Sequence, residues 1–67
     1  MNIQQALNNI TKNIELTQPQ MEEVMRTIMR GEATDAQIGA FMMGLRLKGE
    51  SIDEITAAAR VMREFAI

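Results

Sequence analysis

Ser51 is the only serine in this chain, and a serine nucleophile needs a base beside it. Lys48 is the nearest candidate, because the chain has no histidine. Ser51 also stands three residues before Glu54, the Ser-x-x-Glu spacing of a helix capping box, and that role accounts for it fully. Glu22–Glu23 and Asp53–Glu54 have the residue types of general acid–base chemistry. Adjacent residues on a helix point about 100° apart, so neither pair can share a proton or flank one bond. They read instead as helix-start charges. Arg60 and Arg63 could hold a phosphate, yet Arg60 is equally placed for solvent or for a Glu64 pair at i+4. No Asp-x-Asp-x-Asp-Gly run offers calcium a loop, and no glycine-rich turn links a strand to a helix. Without cysteine there is no thiolate, disulfide framework or zinc pattern. No catalytic, cofactor-binding or metal-binding residue is assigned.

The elements that must position these side chains are helices. Ile3, Ala6, Leu7 and Ile10, with Ile14 beyond, mark one face of a helix from about Ile3 to Lys12. Thr17 with Gln20 caps a second helix, with Pro19 in its first turn and Leu16 and Met21 placed as a hydrophobic staple. Its inner face reads Met21, Val24, Met25, Ile28 and Met29, and Gly31 stops it. Thr34 with Gln37 opens a third helix that Gly49 closes. Ser51 with Glu54 opens a fourth, with an inner face predicted at Ile52, Ile55, Ala58, Ala59, Met62 and Ala66. Glu22, Glu23, Asp35, Asp53 and Glu54 fall in first turns, and Arg30, Arg46, Lys48 and Arg63 near helix ends, as the helix dipole favours. The turns Arg30–Thr34 and Lys48–Ser51 are nearly alike and read as one stop-and-start chemistry used twice, not as a helical repeat. The prediction is an all-α domain, a small four-helix bundle with short turns punctuated by Gly, Thr and Ser, spanning residues 1–67.

Helix 3 has almost no polar side. Ile38, Phe41, Met42 and Leu45 recur at i, i+3, i+4, i+7 and can face the chain's own core. Ala36, Ala40, Met43 and Leu47 form a second seam pointing elsewhere, which needs another chain or another domain to cover it. Gly39 and Gly44 each cost about 1 kcal/mol against alanine inside a helix, so close packing must offset them. The close neighbour is either a helix of the same bundle or a second protomer. Met21, Met25, Met29 and Met62 read as core filler.

The bulk numbers exclude several classes. A 67-residue chain is one domain at most, near the size where a lone core is marginally stabilising. A net charge of −2 argues against nucleic acid or an anionic membrane as partner. The apolar runs are far shorter than the roughly 20 residues that span a bilayer. Met1–Gln5 has no signal-peptide character, and a cytoplasmic location is expected.

Three stretches then bring a family into view: Arg30–Phe41, Leu45–Ile55 and Ala58–Arg63. With the opening Met1-Asn2-Ile3 and the spacing of Leu7 and Ile10, they resemble the N-terminal helical domain of anthranilate phosphoribosyltransferase. The wider class, which includes pyrimidine nucleoside phosphorylases, shares this domain, and a helical domain of such a relative is the neighbouring alternative. The resemblance implies a tryptophan-biosynthesis enzyme that moves the phosphoribosyl group of phosphoribosyl pyrophosphate, with magnesium, onto the amine of anthranilate. It also implies that the catalytic apparatus lies in a larger α/β domain following this one, so these residues alone are expected to be inactive. It implies a homodimer joined through helices like helices 1 and 3, with Ile3, Leu7, Ala36, Ala40, Met43 and Leu47 as interface residues.

Two readings from other classes compete. A free-standing carrier or adaptor domain would use Ser51 at a helix start, although Glu50-Ser51-Ile52 lacks the Asp-Ser-Leu of acyl carrier proteins. A helix-turn-helix DNA binder would need a basic reading helix, and helix 3 is apolar.

Overall fold

The computed structural model describes residues 1–66, and Ile67 lies outside the described residues. Four helices follow in order: α1 (Ile3–Thr11), α2 (Gln18–Met29), α3 (Asp35–Lys48) and α4 (Ile52–Glu64). The all-α bundle expected from periodicity is the fold observed. Each helix opens on a reciprocal capping box, Asn2 with Gln5, Thr17 with Gln20, Thr34 with Gln37 and Ser51 with Glu54. A cap of this kind contributes about 0.5–2 kcal/mol, so helix starts are strongly specified by local sequence. The Asn2–Gln5 box escaped the sequence reading, although its spacing is the same. Because α2 begins at Gln18, Glu22 and Glu23 lie past its first turn.

Three stops use positive-φ backbone. Asn13 (φ +57°) turns the chain out of α1, Gly31 (φ +73°) follows α2 as its expected stop, and Gly49 (φ +88°) ends α3 with its N–H donating to the Leu45 carbonyl. Ile14 therefore falls outside α1 and is exposed rather than continuing its apolar face.

The helices pack as two pairs, α1 on α3 and α2 on α4, joined by a lighter α1–α2 contact. Ile3, Ala6, Ile10, Leu16, Met21, Val24, Met25, Phe41, Leu45, Ala57 and Val61 form the core. Burial of an aromatic or leucine side chain such as Phe41 or Leu45 contributes about 1.5–3 kcal/mol. A Cβ added to Gly44 would sit 2.7 Å from Ile10 Cγ2, so this glycine lets α1 approach α3 within the same chain. Gly39 meets nothing within 4 Å.

The predicted face of α4 is wrong by a rotation. Its buried residues are Glu54, Ala57 and Val61, whereas Ile52, Ile55, Ala59, Met62 and Ala66 are exposed and Ala58 is half-buried. Periodicity selected the stripe with the larger apolar residues. The fold instead turns inward the stripe where small Ala57 admits α2 and where the Glu54 carboxylate finds partners. Met29 and Met42, also expected inside, are exposed as well, so methionine fills the core only at Met21 and Met25.

Candidate functional site

Among the described residues Glu54 is the one charged residue buried as a whole, with 0% exposure. Its Oε2 accepts the Leu16 N–H at 2.7 Å, and its Oε1 accepts Lys48 Nζ at 2.8 Å and the Ser51 N–H at 2.9 Å. The Lys48 side chain is 3% exposed and also donates to the Gly49 carbonyl at 2.9 Å. Burial pushes the Glu54 carboxyl up, but the Lys48 ammonium and the Leu16 and Ser51 amides outweigh it and hold it below the ordinary carboxylate range. The node ties the loop before α2, the end of α3 and the start of α4 together. It is structural: its ionised groups are fully engaged, and no buried side-chain polar atom is left unpartnered among the described residues.

The same contacts settle the candidate nucleophile. Ser51 Oγ accepts the Glu54 N–H at 3.1 Å while Lys48 is bound to Glu54, so the Ser51–Lys48 dyad does not form. Arg60 donates to Glu22 at 2.7 Å and Gln18 at 3.2 Å rather than pairing with Glu64. Glu64 is instead gripped by Arg26 through two bonds of 2.9 and 3.0 Å, and that pairing lowers its carboxyl pKa. These cross-helix pairs fasten α2 to α4. Among the described residues no group of three or more acidic side chains converges as a metal site, and no helix is long and apolar enough to cross a membrane.

What remains open to a partner is apolar. On α3, Ala36, Ala40, Met43 and Leu47 are all exposed, Met43 at 60% and Leu47 at 81%. Leu47 borders an open groove of about 320 Å³ lined by Ile10, Thr11, Asn13, Gly44 and Lys48, where α1 and α3 lie closest. Of the two α1 residues assigned to an interface, Leu7 is half-buried against the core, and Ile3, at 6%, lies inside it and offers almost no surface. A second outward stripe, on α4, went unrecognised because its residues were assigned to the core. Its signal was present in the sequence: Ile52, Ile55, Ala59 and Met62 follow the 3-4-3 spacing of a helix–helix seam, and Ala66 lies past the end of α4.

Comparison with known proteins agrees with the helical bundle observed. Residues 4–66 match the family described as "Glycosyl transferase family, helical bundle domain". The chain is 87% identical over 67 residues to an anthranilate phosphoribosyltransferase of Acinetobacter baumannii, covering all of this chain and 19% of that protein. It is 85% identical over 67 residues to the Acinetobacter baylyi enzyme of the same name, again covering all of this chain and 19% of that protein. With the Marinobacter nauticus enzyme it shares 64% over 66 residues, 98% of this chain and 19% of the relative. The chain thus spans about a fifth of the length of the curated relatives it matches, and the match lies in their N-terminal part. Sequence and fold together place the chain in the glycosyl transferase family, as the helical bundle domain found at the N-terminus of anthranilate phosphoribosyltransferases.

Proposed function

We propose that this chain is the dimerisation and support domain of an anthranilate phosphoribosyltransferase of tryptophan biosynthesis. The parent enzyme transfers phosphoribosyl from phosphoribosyl pyrophosphate to anthranilate, and magnesium assists it. The residues present do not fit a site for that metal or its diphosphate. Glu54 is sealed by Lys48, Glu22 and Glu64 are held by Arg60 and Arg26, and no acidic cluster converges among the described residues. No step of the transfer is therefore assigned to this chain.

The observation that carries the reading is the exposed seam of α3 beside a groove at the α1–α3 junction. A knob such as Leu47 next to a hole is the self-complementary arrangement that a two-fold interface uses, since each copy supplies both. Closure would remove from water a leucine and a methionine per copy, each contributing about 1.5–3 kcal/mol if fully buried.

Light scattering across a concentration series, with Leu47→Glu alongside, tests the proposal. A wild-type dimer that the variant converts to monomer is the expected result. A wild-type chain that stays monomeric up to millimolar concentration would sink it. Turnover of anthranilate by the 67-residue chain would contradict the assignment of catalysis to the rest of the enzyme.

A further inference from the structure

Four of the chain's seven methionines lie on the surface: Met29 is 41%, Met42 48%, Met43 60% and Met62 50% exposed. Methionine is among the residue types most often fully buried, so this placement needs an account. Neither the core, which takes Met21 and Met25, nor the ion pairs between α2 and α4 supply one. Met43 differs from the other three because it stands in the middle of the α3 seam, between Ala40 and Leu47. We propose that Met43 is a modification site, oxidised by peroxide to the sulfoxide, and that its oxidation state controls the pairing of two copies through α3. The inference rests on the α3 interface proposed above.

The chemistry falls to methionine in this chain, which has no cysteine, histidine, tryptophan or tyrosine. A lone pair of the Met43 sulfur attacks one peroxide oxygen. The S–O bond forms as the O–O bond breaks, and two electrons pass from sulfur to the peroxide. The departing hydroxide takes the remaining proton and leaves as water. The seam has no place for the product. Ala36, Ala40 and Leu47 bring no hydrogen-bond donor, and the backbone N–H groups inside a helix are already bonded. A sulfoxide oxygen buried there is an acceptor without a partner, which costs about tenfold in affinity per copy. A two-fold interface holds two such groups, so the dimer weakens roughly a hundredfold. Access obeys the same equilibrium: peroxide reaches Met43 in the separated copy, where it is 60% exposed, and pairing shields it. Oxidant and partner compete for one face.

The test uses the full-length enzyme made by exchanging this chain for the matched region of the Acinetobacter baumannii relative. Hydrogen peroxide oxidation is read residue by residue by mass spectrometry, and the oligomeric mass by light scattering. Met43 should oxidise more slowly as protein concentration rises. Once it is oxidised, the dissociation constant should rise about a hundredfold, the two-copy effect derived above. Met21 and Met25 should stay reduced in the same sample, because the bundle remains folded around them. Met43→Leu should hold its dimer under the same peroxide, and methionine sulfoxide reductases with a thiol should restore the wild-type dimer. A dimer that persists with Met43 fully oxidised would overturn the inference. So would a Met43→Leu enzyme that dissociates in parallel, or a Met43 that stays reduced while other methionines of the enzyme react. The untreated mass separates the two failures: an enzyme already monomeric before peroxide removes the α3 interface itself, and the Met43 control with it.

Discussion

Replacing Glu54 with glutamine removes one charge and almost no volume, yet it should unfold a large fraction of this domain. The carboxylate satisfies three donors, the Leu16 amide, the Ser51 amide and the Lys48 ammonium. A glutamine has one oxygen and one NH2 group. If the oxygen faces Leu16, the NH2 meets the Ser51 amide and the ammonium; if it faces those, the NH2 meets the Leu16 amide. Either orientation sets donor against donor in a site with 0% exposure. With the oxygen facing Leu16, Lys48, 3% exposed, keeps its charge with only the Gly49 carbonyl for a partner; with the oxygen facing Lys48, the ammonium keeps an acceptor but loses its counter-charge. Breaking one side of a buried ion pair costs about 3–5 kcal/mol, because the stranded charge stays desolvated. A domain of this length has a total stability of about 3–10 kcal/mol at 0.05–0.15 kcal/mol per residue. Urea unfolding at neutral pH, followed by far-UV circular dichroism, has a slope near 1 kcal/mol per molar for so small a chain. The midpoint should therefore fall by about 3–5 M, or the variant should be partly unfolded without denaturant. Adding Lys48→Met removes the stranded ammonium and should recover about 1–3 kcal/mol, the scale of coupling between contacting residues. A Glu54→Gln variant within about 1 kcal/mol of wild type would refute the reasoning, since the node would then be no better than an exposed pair.

Further outcomes follow from the same contacts. Because the Glu54 and Glu64 carboxyls lie below their ordinary range in the fold, their contribution is fully present above the unfolded value of about 4.3 and is lost as acid passes through the folded values. Stability should thus be flat above about pH 5.5 and fall below about pH 4.5, and the drop should shrink in Glu54→Gln; acid titration of the urea midpoint checks it. Gly39→Ala meets open space and should stabilise by about 0.5–1 kcal/mol, whereas Gly44→Ala drives a methyl to 2.7 Å from Ile10 Cγ2 and sets that gain against about 1–3 kcal/mol of overpacking. Thermal melts should therefore rank Gly39→Ala above wild type and Gly44→Ala below it, and the reverse order would mean α1 and α3 are not in close contact. Leu47→Glu should dissociate the proposed dimer while leaving the melting temperature of dilute monomer unchanged within error, because Leu47 lies on the surface of its own chain.

Helix number, order and starts were legible in the sequence because they are local. A Thr or Ser bonding an amide three residues on, and a Gly taking positive φ, depend on nothing beyond one turn of chain. The inward stripe of α3 at Phe41 and Leu45 was also legible, since aromatic and leucine side chains at i, i+4 have few alternatives to burial. So was the outward seam at Ala36, Ala40, Met43 and Leu47, because one helix cannot bury both faces in so small a bundle.

Tertiary structure alone decided which way α4 turns. Periodicity weighs side chains by their own hydrophobicity and therefore prefers Ile52, Ile55 and Met62 to a stripe containing a glutamate. The cost of burying Glu54 is offset only by groups distant in sequence or across a turn: the Leu16 amide from the loop before α2, and Lys48 from the end of α3. No one-dimensional pattern records that meeting. The ion pairs between Arg26 and Glu64 and between Arg60 and Glu22 were hidden for the same reason, since each joins α2 to α4 across 38 positions of sequence. What the chain's residues determined by themselves was a capped helical bundle; which faces it buries and which it leaves exposed followed from which helices came to lie side by side.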